Sequence, residues 1–345
     1  MAGLVYMDGF ETYGANGDTG TGLHDLFSER FTSVSLNSAA KLSSNAYEGE
    51  GLCLDCVSGS SSYYLTYSSP DPSDEVIIGF AVYLGTGTAN GYIYAAGTGT
   101  QRAGLYYLPG TDSLRIYSLG ASVDTANGLL TPDEWHYIEF AYKVHDTTGY
   151  WKLWIDGAFV DERTDFDTNG SSSYTTEIAW HTIYMRYTGM RIDDMYIYNN
   201  AGGAQSPYGP VKIRTLTANG DDTSDWTSTG ANHYDQVNDI PTDTANYVES
   251  DTANDVDLFT FANSVTPDHW PIYGVQLNIH AAVTDVGLFT LEGIADSNGT
   301  QDVISEAIVD DLGGEYNFVF EEDPETSNAW TVATLNNAIF GVGVE

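Results

Sequence analysis

Short stretches that alternate apolar with polar residues, each closed by Gly, Asn, Asp, Ser or Pro, recur along nearly the whole of this 345-residue chain. In the first half they are YYLTY (63–67), EVIIGFAVYL (75–84), GYIYAA (91–96), AGLYYL (103–108), SLRIYSL (113–119), WHYIEFAYKV (135–144), AWHTIYMRY (179–187) and MRIDDMYIYN (190–199). A period of two sends alternate side chains to opposite faces of a sheet. Such runs at roughly 8–12-residue spacing, with turn residues between them, are the pattern of a sandwich or barrel. Within KLWIDGAFVDE, Asp156-Gly157 separates two alternating runs. This predicts a two-residue hairpin, because Gly accepts the positive φ that the tight turn needs.

The pattern pauses at NAGGAQSPYGP (200–210) and then restarts. The length suits two domains, and the Gly/Pro-rich stretch reads as a linker between them. The expected boundaries are 1–203 for the first β-sandwich, 204–210 for the linker and 211–345 for a second β-sandwich. Strand signals in the second half are VKIRTLT (211–217), ANYVES (245–250), VDLFTFA (256–262), YGVQLNIHAAVT (273–284), GLFTLEGIA (287–295) and EYNFVFEED (315–323). The closing stretch carries Trp330, Val332, Leu335 and Ile339 at the spacing of a short helix that leads into a last strand. VISEAIVDD (303–311) is the other weak helix candidate. The fold class read here is all-β, two sandwiches.

Eleven Lys and Arg oppose 49 Asp and Glu, a net charge of −38. Such a surface repels phosphate backbones and anionic lipid, so neither nucleic acid nor a membrane is an expected partner. MAGLVYMDGFETYG has neither a basic region nor an apolar core, and no signal peptide is expected from it. No window reaches the roughly 18 apolar residues of a membrane span. The two cysteines, Cys53 and Cys56, supply too few ligands for a zinc site, and in a strand they point to opposite faces.

At WHYIEFAYKVHDTTGYWKLWIDGAFVDE the chain resembles the concanavalin-A-like, laminin-G-like jelly rolls. The resemblance rests on Trp135, His136 and Tyr137, then Gly149, Leu153, Ile155, Asp156 and Gly157. YMDGFETYG (6–14) and RIDDMYIYN (191–199) match how those domains open and close, with the two ends as neighbouring strands. The arrangement is also similar to phage structural proteins that carry this jelly roll, through GPVKIRTLTANGDDTSDWT (209–227) and EDPETSNAWTVATLNNAIFGVGVE (322–345). The resemblance implies a non-enzymatic virion component, made in the host cytoplasm. It would assemble with other virion proteins and with copies of itself, a trimer being the guess.

Enzyme chemistry finds little support in the residues. Glucanases that share the jelly roll carry Glu-x-Asp-x-x-Glu on one strand, the two carboxylates that hydrolysis needs. Here Glu249-Ser-Asp251 is followed by Asn254, and Glu321-Glu-Asp323 by Thr326. There is no Gly-x-Ser-x-Gly elbow, and no lysine follows a glycine as a phosphate loop requires. The histidines, at 24, 136, 145, 181, 233, 269 and 280, form no i, i+4 pair and read as structural. No catalytic or cofactor-binding residue is assigned. One metal candidate exists: Asp165, Asp167 and Asn169, followed by Gly170, match the first half of a calcium loop. Thr176 stands where the twelfth-position acid belongs, with Glu177 one residue late. Glycan binding is the alternative to the virion role, as a host-attachment lectin, and an atypical glycan hydrolase is the third reading. Stacking on sugars needs exposed rings. Tyr63, Tyr64, Tyr106, Tyr107, Trp151 and Trp154 are candidates, and alternation buries one of each adjacent pair.

Overall fold

The computed structural model describes residues 3–36, 40–57, 63–85, 90–119, 121–170, 177–203, 205–267, 269–284, 289–308 and 313–345. The fold class expected from the sequence is found: the chain is nearly all β. It packs as two compact units, Met1–Arg214 and Thr215–Glu345.

The first unit is a two-sheet sandwich. Its strands are β1 (Gly3–Asp8), β2 (Ser33–Ser35), β3 (Ala40–Ser43), β4 (Cys53–Cys56), β5 (Tyr64–Ser73), β6 (Glu75–Tyr83), β7 (Gly91–Thr98), β8 (Thr100–Leu108), β9 (Ser113–Ser118), β10 (Ala121–Asp124), β11 (Trp135–Lys143), β12 (Gly149–Ile155), β13 (Ala158–Phe166), β14 (Ile178–Tyr184) and β15 (Met190–Asn199). Sheet A runs β13-β12-β11-β6-β15-β4-β3, with β1 also on β15, and sheet B runs β10-β9-β8-β7-β14-β5-β2. The first and last strands are neighbours, with Gly3 opposite Asn199 and Asp8 opposite Met195.

Period-two alternation feeds one core from both sheets. Ile78, Phe80, Phe140 and Ile197 come from sheet A, and Leu65, Leu105, Ile116 and Ile183 from sheet B. The Asp156-Gly157 hairpin forms as its sequence requires: both residues have positive φ (53° and 75°), and Ile155 pairs with Ala158. The Asp156 carboxylate also accepts from the Tyr137 N–H and bonds His136 Nδ1, each at 2.8 Å. A short helix, α1 (Thr21–Arg30), has no counterpart in the strand-based reading. It sets Leu23 and Phe27 into the core, where Phe27 stacks on Tyr13 at 4.1 Å.

Residues 205–214 lie along the outer face of sheet A. The Gly209 N–H donates to Glu139 at 2.9 Å, and the Tyr208 ring packs on Tyr196 at 5.1 Å. Lys212 Nζ is held by the carbonyls of Tyr47 and Glu50 and by the Asp194 carboxylate at 3.0 Å.

The second unit pairs a five-stranded sheet with a two-stranded one. The larger orders Ala218–Ser224, Val256–Phe261, Ile339–Val344, Phe289–Ser297 and Thr300–Ile308; the smaller pairs Val275–Ala281 with Gly314–Phe320. They face each other over Leu291, Ala295, Tyr316, Phe318, Trp330 and Phe340. Gly293 allows the close approach: a Cβ there would stand 2.3 Å from the Phe318 ring. The closing segment is a capped helix, α2 (Val332–Asn337), and then the strand Ile339–Val344. VISEAIVDD is corrected: Val303–Ile308 belongs to a strand paired residue for residue with Phe289–Ser297, and cross-strand pairing overrides its weak helical tendency. Residues 309–311 of that stretch lie outside the described residues.

Candidate functional site

The sequence candidates separate cleanly once placed. Cys53 and Cys56 are both fully buried and point to opposite faces of β4, the Cys56 thiol reaching the Met185 carbonyl and the Cys53 thiol that of Ser43. Burial pushes the Cys53 thiol far above the ordinary thiol range. His136 and His181 are both buried. His136 accepts from the Thr131 N–H, and His181, buried against Tyr94 at 2.8 Å, is pushed down to about 3 by desolvation. Asp323, from one of the near-miss carboxylate runs, is buried and caps its own turn through Glu325 N–H and Thr326.

In the calcium candidate, one carboxylate oxygen of Asp167 accepts the N–H groups of Asn169 and Gly170, at 2.9 and 2.7 Å. The Asn169 amide donates to Asp146 at 2.8 Å. Asp165 is exposed at the end of β13 with φ 57°. Among the described residues, neither Asp165 nor Asp167 belongs to a cluster of three or more acidic, His or Cys side chains. Thr176 lies outside the described residues.

The aromatic candidates divide as alternation requires. Tyr107 and Trp151 are core residues, Tyr63 is partly buried against the core, and Trp154 packs on Phe159 at the sheet A side. Tyr64 and Tyr106 stand on the outer face of sheet B, where sequence reasoning missed their neighbours. Tyr106, Tyr92, Tyr184 and Tyr64 come from the adjacent strands β8, β7, β14 and β5 and form one row. Successive ring centroids are 5.0, 6.0 and 6.1 Å apart, and every ring is half-exposed. Tyr117 of β9 joins at 6.3 Å from Tyr92.

Local structure explains the row. In AWHTIYMRY, Trp180, Thr182, Tyr184 and Arg186 share one face, while His181, Ile183 and Met185 enter the core. On β7 the register shifts between Tyr92 and Tyr94, so Ile93 and Tyr94 are both buried while Tyr92 stays outside. Beside the row the face is small: Thr182, Ala95 and Gly104 occupy neighbouring register positions. A Cβ on Gly104 would sit 3.0 Å from the Tyr92 ring and 2.8 Å from Gln101 Nε2, so glycine lets both lean over it. At the far end, Arg115 and Asp124 pair through two hydrogen bonds. This holds the Asp124 carboxyl below its ordinary range and raises the guanidinium. Partial burial raises the Tyr184 hydroxyl above the ordinary phenol value.

No protein-family model and no curated protein matches this chain. Solved structures do. Alginate lyase Aly36B is 12% identical with a TM-score of 0.37, over 54% of this chain and 94% of the lyase. Domain 4 of AbnA, a GH43 extracellular arabinanase from Geobacillus stearothermophilus in complex with arabinotriose, is 13% identical with a TM-score of 0.35, over 57% of this chain and 93% of that domain. A Bacillus subtilis protein of unknown function with a galectin-like fold is 12% identical with a TM-score of 0.35, over 58% of this chain and 98% of that one. At these identities and scores no residue's role passes from them to this chain. The expectation of a virion structural protein residing in a phage particle is corrected: the similar structures include an alginate lyase and an arabinanase domain, and they give no support to a purely structural role. No helix among the described residues is long and apolar enough to cross a membrane, which says nothing of β-barrels.

Proposed function

We propose that the first unit binds glycans through the outer face of sheet B. The observation that carries this is the row Tyr106–Tyr92–Tyr184–Tyr64, four half-exposed rings on four adjacent strands. A soluble sandwich gains little from leaving that much ring surface at the water boundary. A sugar uses it directly, laying the C–H face of a pyranose on a ring and its hydroxyls against polar tips. Strands lie about 4.8 Å apart, so the row spans about 14 Å, the reach of a short oligosaccharide rather than one sugar.

The polar equipment fits. With the described residues, the hydroxyls of Tyr92, Tyr106 and Tyr184 make no hydrogen bond, and the Gln101 amide nitrogen is buried without a partner. The neighbouring carboxylate, Asp124, is already committed to Arg115, which favours binding over the paired-carboxylate hydrolysis of a glycosidase.

A glycan array probed with the full chain tests the reading. Binding to a restricted set of oligosaccharides is expected, falling roughly tenfold in Tyr92→Ala, the factor that corresponds to losing about 1.4 kcal/mol of contact with one ring. Array signals at background, or signals indifferent to Tyr92 and Tyr106, would sink it.

A further inference from the structure

Resting on that glycan-binding reading, we infer that the ligand is an acidic sugar whose carboxylate is taken by Arg186. In a chain of net charge −38, cations are surrounded by acids, and most are paired. Lys143 meets Glu75, Lys152 meets Glu162, Arg191 meets Asp55, Lys212 meets Asp194 and Arg214 meets Glu50. Arg186 makes no such pair with any described residue. It lies two residues beyond Tyr184, on the same face, and its guanidinium sits over the Tyr184 ring at 5.0 Å.

Its seat is built. The Arg186 stem crosses β7 at Gly91, where a Cβ would meet Arg186 Cδ at 2.5 Å. Any other residue at position 91 would push the stem off the sheet. The Nε–H is buried and, among the described residues, donates to nothing. A buried donor without an acceptor is costly, and a guanidinium offers donors in a planar fork matched to a carboxylate. The Tyr184 ring under the guanidinium holds it in place, and the glycine lets the stem lie close to the sheet. A carboxylated sugar resting on the tyrosine row would bring its anion to this fork, supplying both the missing acceptor and the missing charge. A neutral sugar would supply neither.

Uronic acids and sialic acids share this chemistry, and a sulfate ester is the other anionic group that glycans carry. The test uses oligosaccharides containing uronic acid or sialic acid, their carboxyl-reduced neutral counterparts, and sulfated oligosaccharides, titrated against the full chain, Arg186→Gln, Arg186→Lys and Tyr92→Ala. At least one carboxylated ligand should bind about tenfold or more tighter than its reduced form, the scale of a charge-assisted bidentate contact. Arg186→Gln should erase that preference, acidic and reduced forms then binding alike, with the melting temperature kept, and Arg186→Lys should restore only part of it, having charge without the fork. Equal binding of acidic and reduced forms, lost in Tyr92→Ala, would overturn the acidic-sugar inference and leave the glycan site standing. Binding by the sulfated ligands alone would overturn the carboxylate assignment. No binding in any arm would overturn both.

Discussion

Replacing Glu11 with Gln should make the protein less sensitive to alkali. Glu11 lies beside the Asp193-Asp194 bulge of β15, in space that two glycines provide. A Cβ on Gly9 would stand 2.4 Å from one carboxyl oxygen of Glu11, and one on Gly51 would stand 2.1 Å from the other. Its Oε2 is buried with no hydrogen-bond partner among the described residues. Desolvation comes first, and the charges of Asp193 and Asp194 add to it; together they push Glu11 from the ordinary carboxylate range up to about 9, with Lys212 opposing. Asp193 and Asp194 are themselves raised, chiefly by burial.

A carboxyl raised on folding binds its proton more tightly in the native state. Its contribution to stability is therefore complete below the unfolded value near 4.5 and is lost as pH rises to about 9. One proton gives a slope of at most about 1.4 kcal/mol per pH unit, so a few kcal/mol is at stake between pH 5 and 9. Glu11→Gln keeps the shape and removes that proton. Thermal melts of the full chain from pH 5 to 9.5 should show the two proteins alike at pH 5, within about 1 kcal/mol, and the variant clearly more stable at pH 9. A slope should persist in the variant, because Asp193 and Asp194 remain. Parallel curves for the two proteins would refute the burial of a protonated carboxyl at this position.

Three further outcomes follow from the packing. A chain ending at residue 203 should melt well below one ending at 214, because losing Lys212 leaves Asp193 and Asp194 buried without their cation, a change of about 3–5 kcal/mol; equal melting temperatures would count against the docking of 205–214. Asp167→Ala should cost about 1 kcal/mol through the lost caps on Asn169 and Gly170. It should do so equally in calcium and in chelator, and a calcium-dependent rise in melting temperature that the variant abolishes would establish the loop as a metal site instead. Gly79→Ala should cost about 1–3 kcal/mol or more, because its Cβ would meet the Tyr196 ring at 2.1 Å, and an unchanged melt would show that Tyr196 yields freely.

The sheets were largely legible because period-two alternation encodes a face directly. Trp180, Thr182, Tyr184 and Arg186 are open to that reading in AWHTIYMRY, but the stretch does not say which rings lie beside Tyr184. Tyr92 was hidden by the register shift in β7, which lets two consecutive residues enter the core and breaks the alternation. Helix α1 was written in Leu23, Phe27 and Phe31, spaced four apart and all buried, but the spacing is lost among strand signals on either side. Residues 204–210 read as a linker because Gly and Pro mark irregular backbone, not its destination. The partners of Tyr208, Gly209 and Lys212 are Tyr196, Glu139 and Asp194, and no local pattern reports contacts with strands so far away. The cross-strand row of rings is likewise a product of register between β5, β14, β7 and β8, which no single stretch contains.

The most direct measurement is a ring-by-ring comparison of affinity for the tightest oligosaccharide found on the array, by calorimetric titration of the full chain. Tyr92→Ala and Tyr106→Ala should each weaken binding roughly tenfold, the loss of about 1.4 kcal/mol of ring contact, whereas Trp154→Ala, a half-exposed ring on the other sheet, should leave it unchanged, with all three variants folded by circular dichroism. Binding that survives both tyrosine substitutions, or that falls with Trp154 instead, would contradict the assignment of the outer face of sheet B as the glycan site.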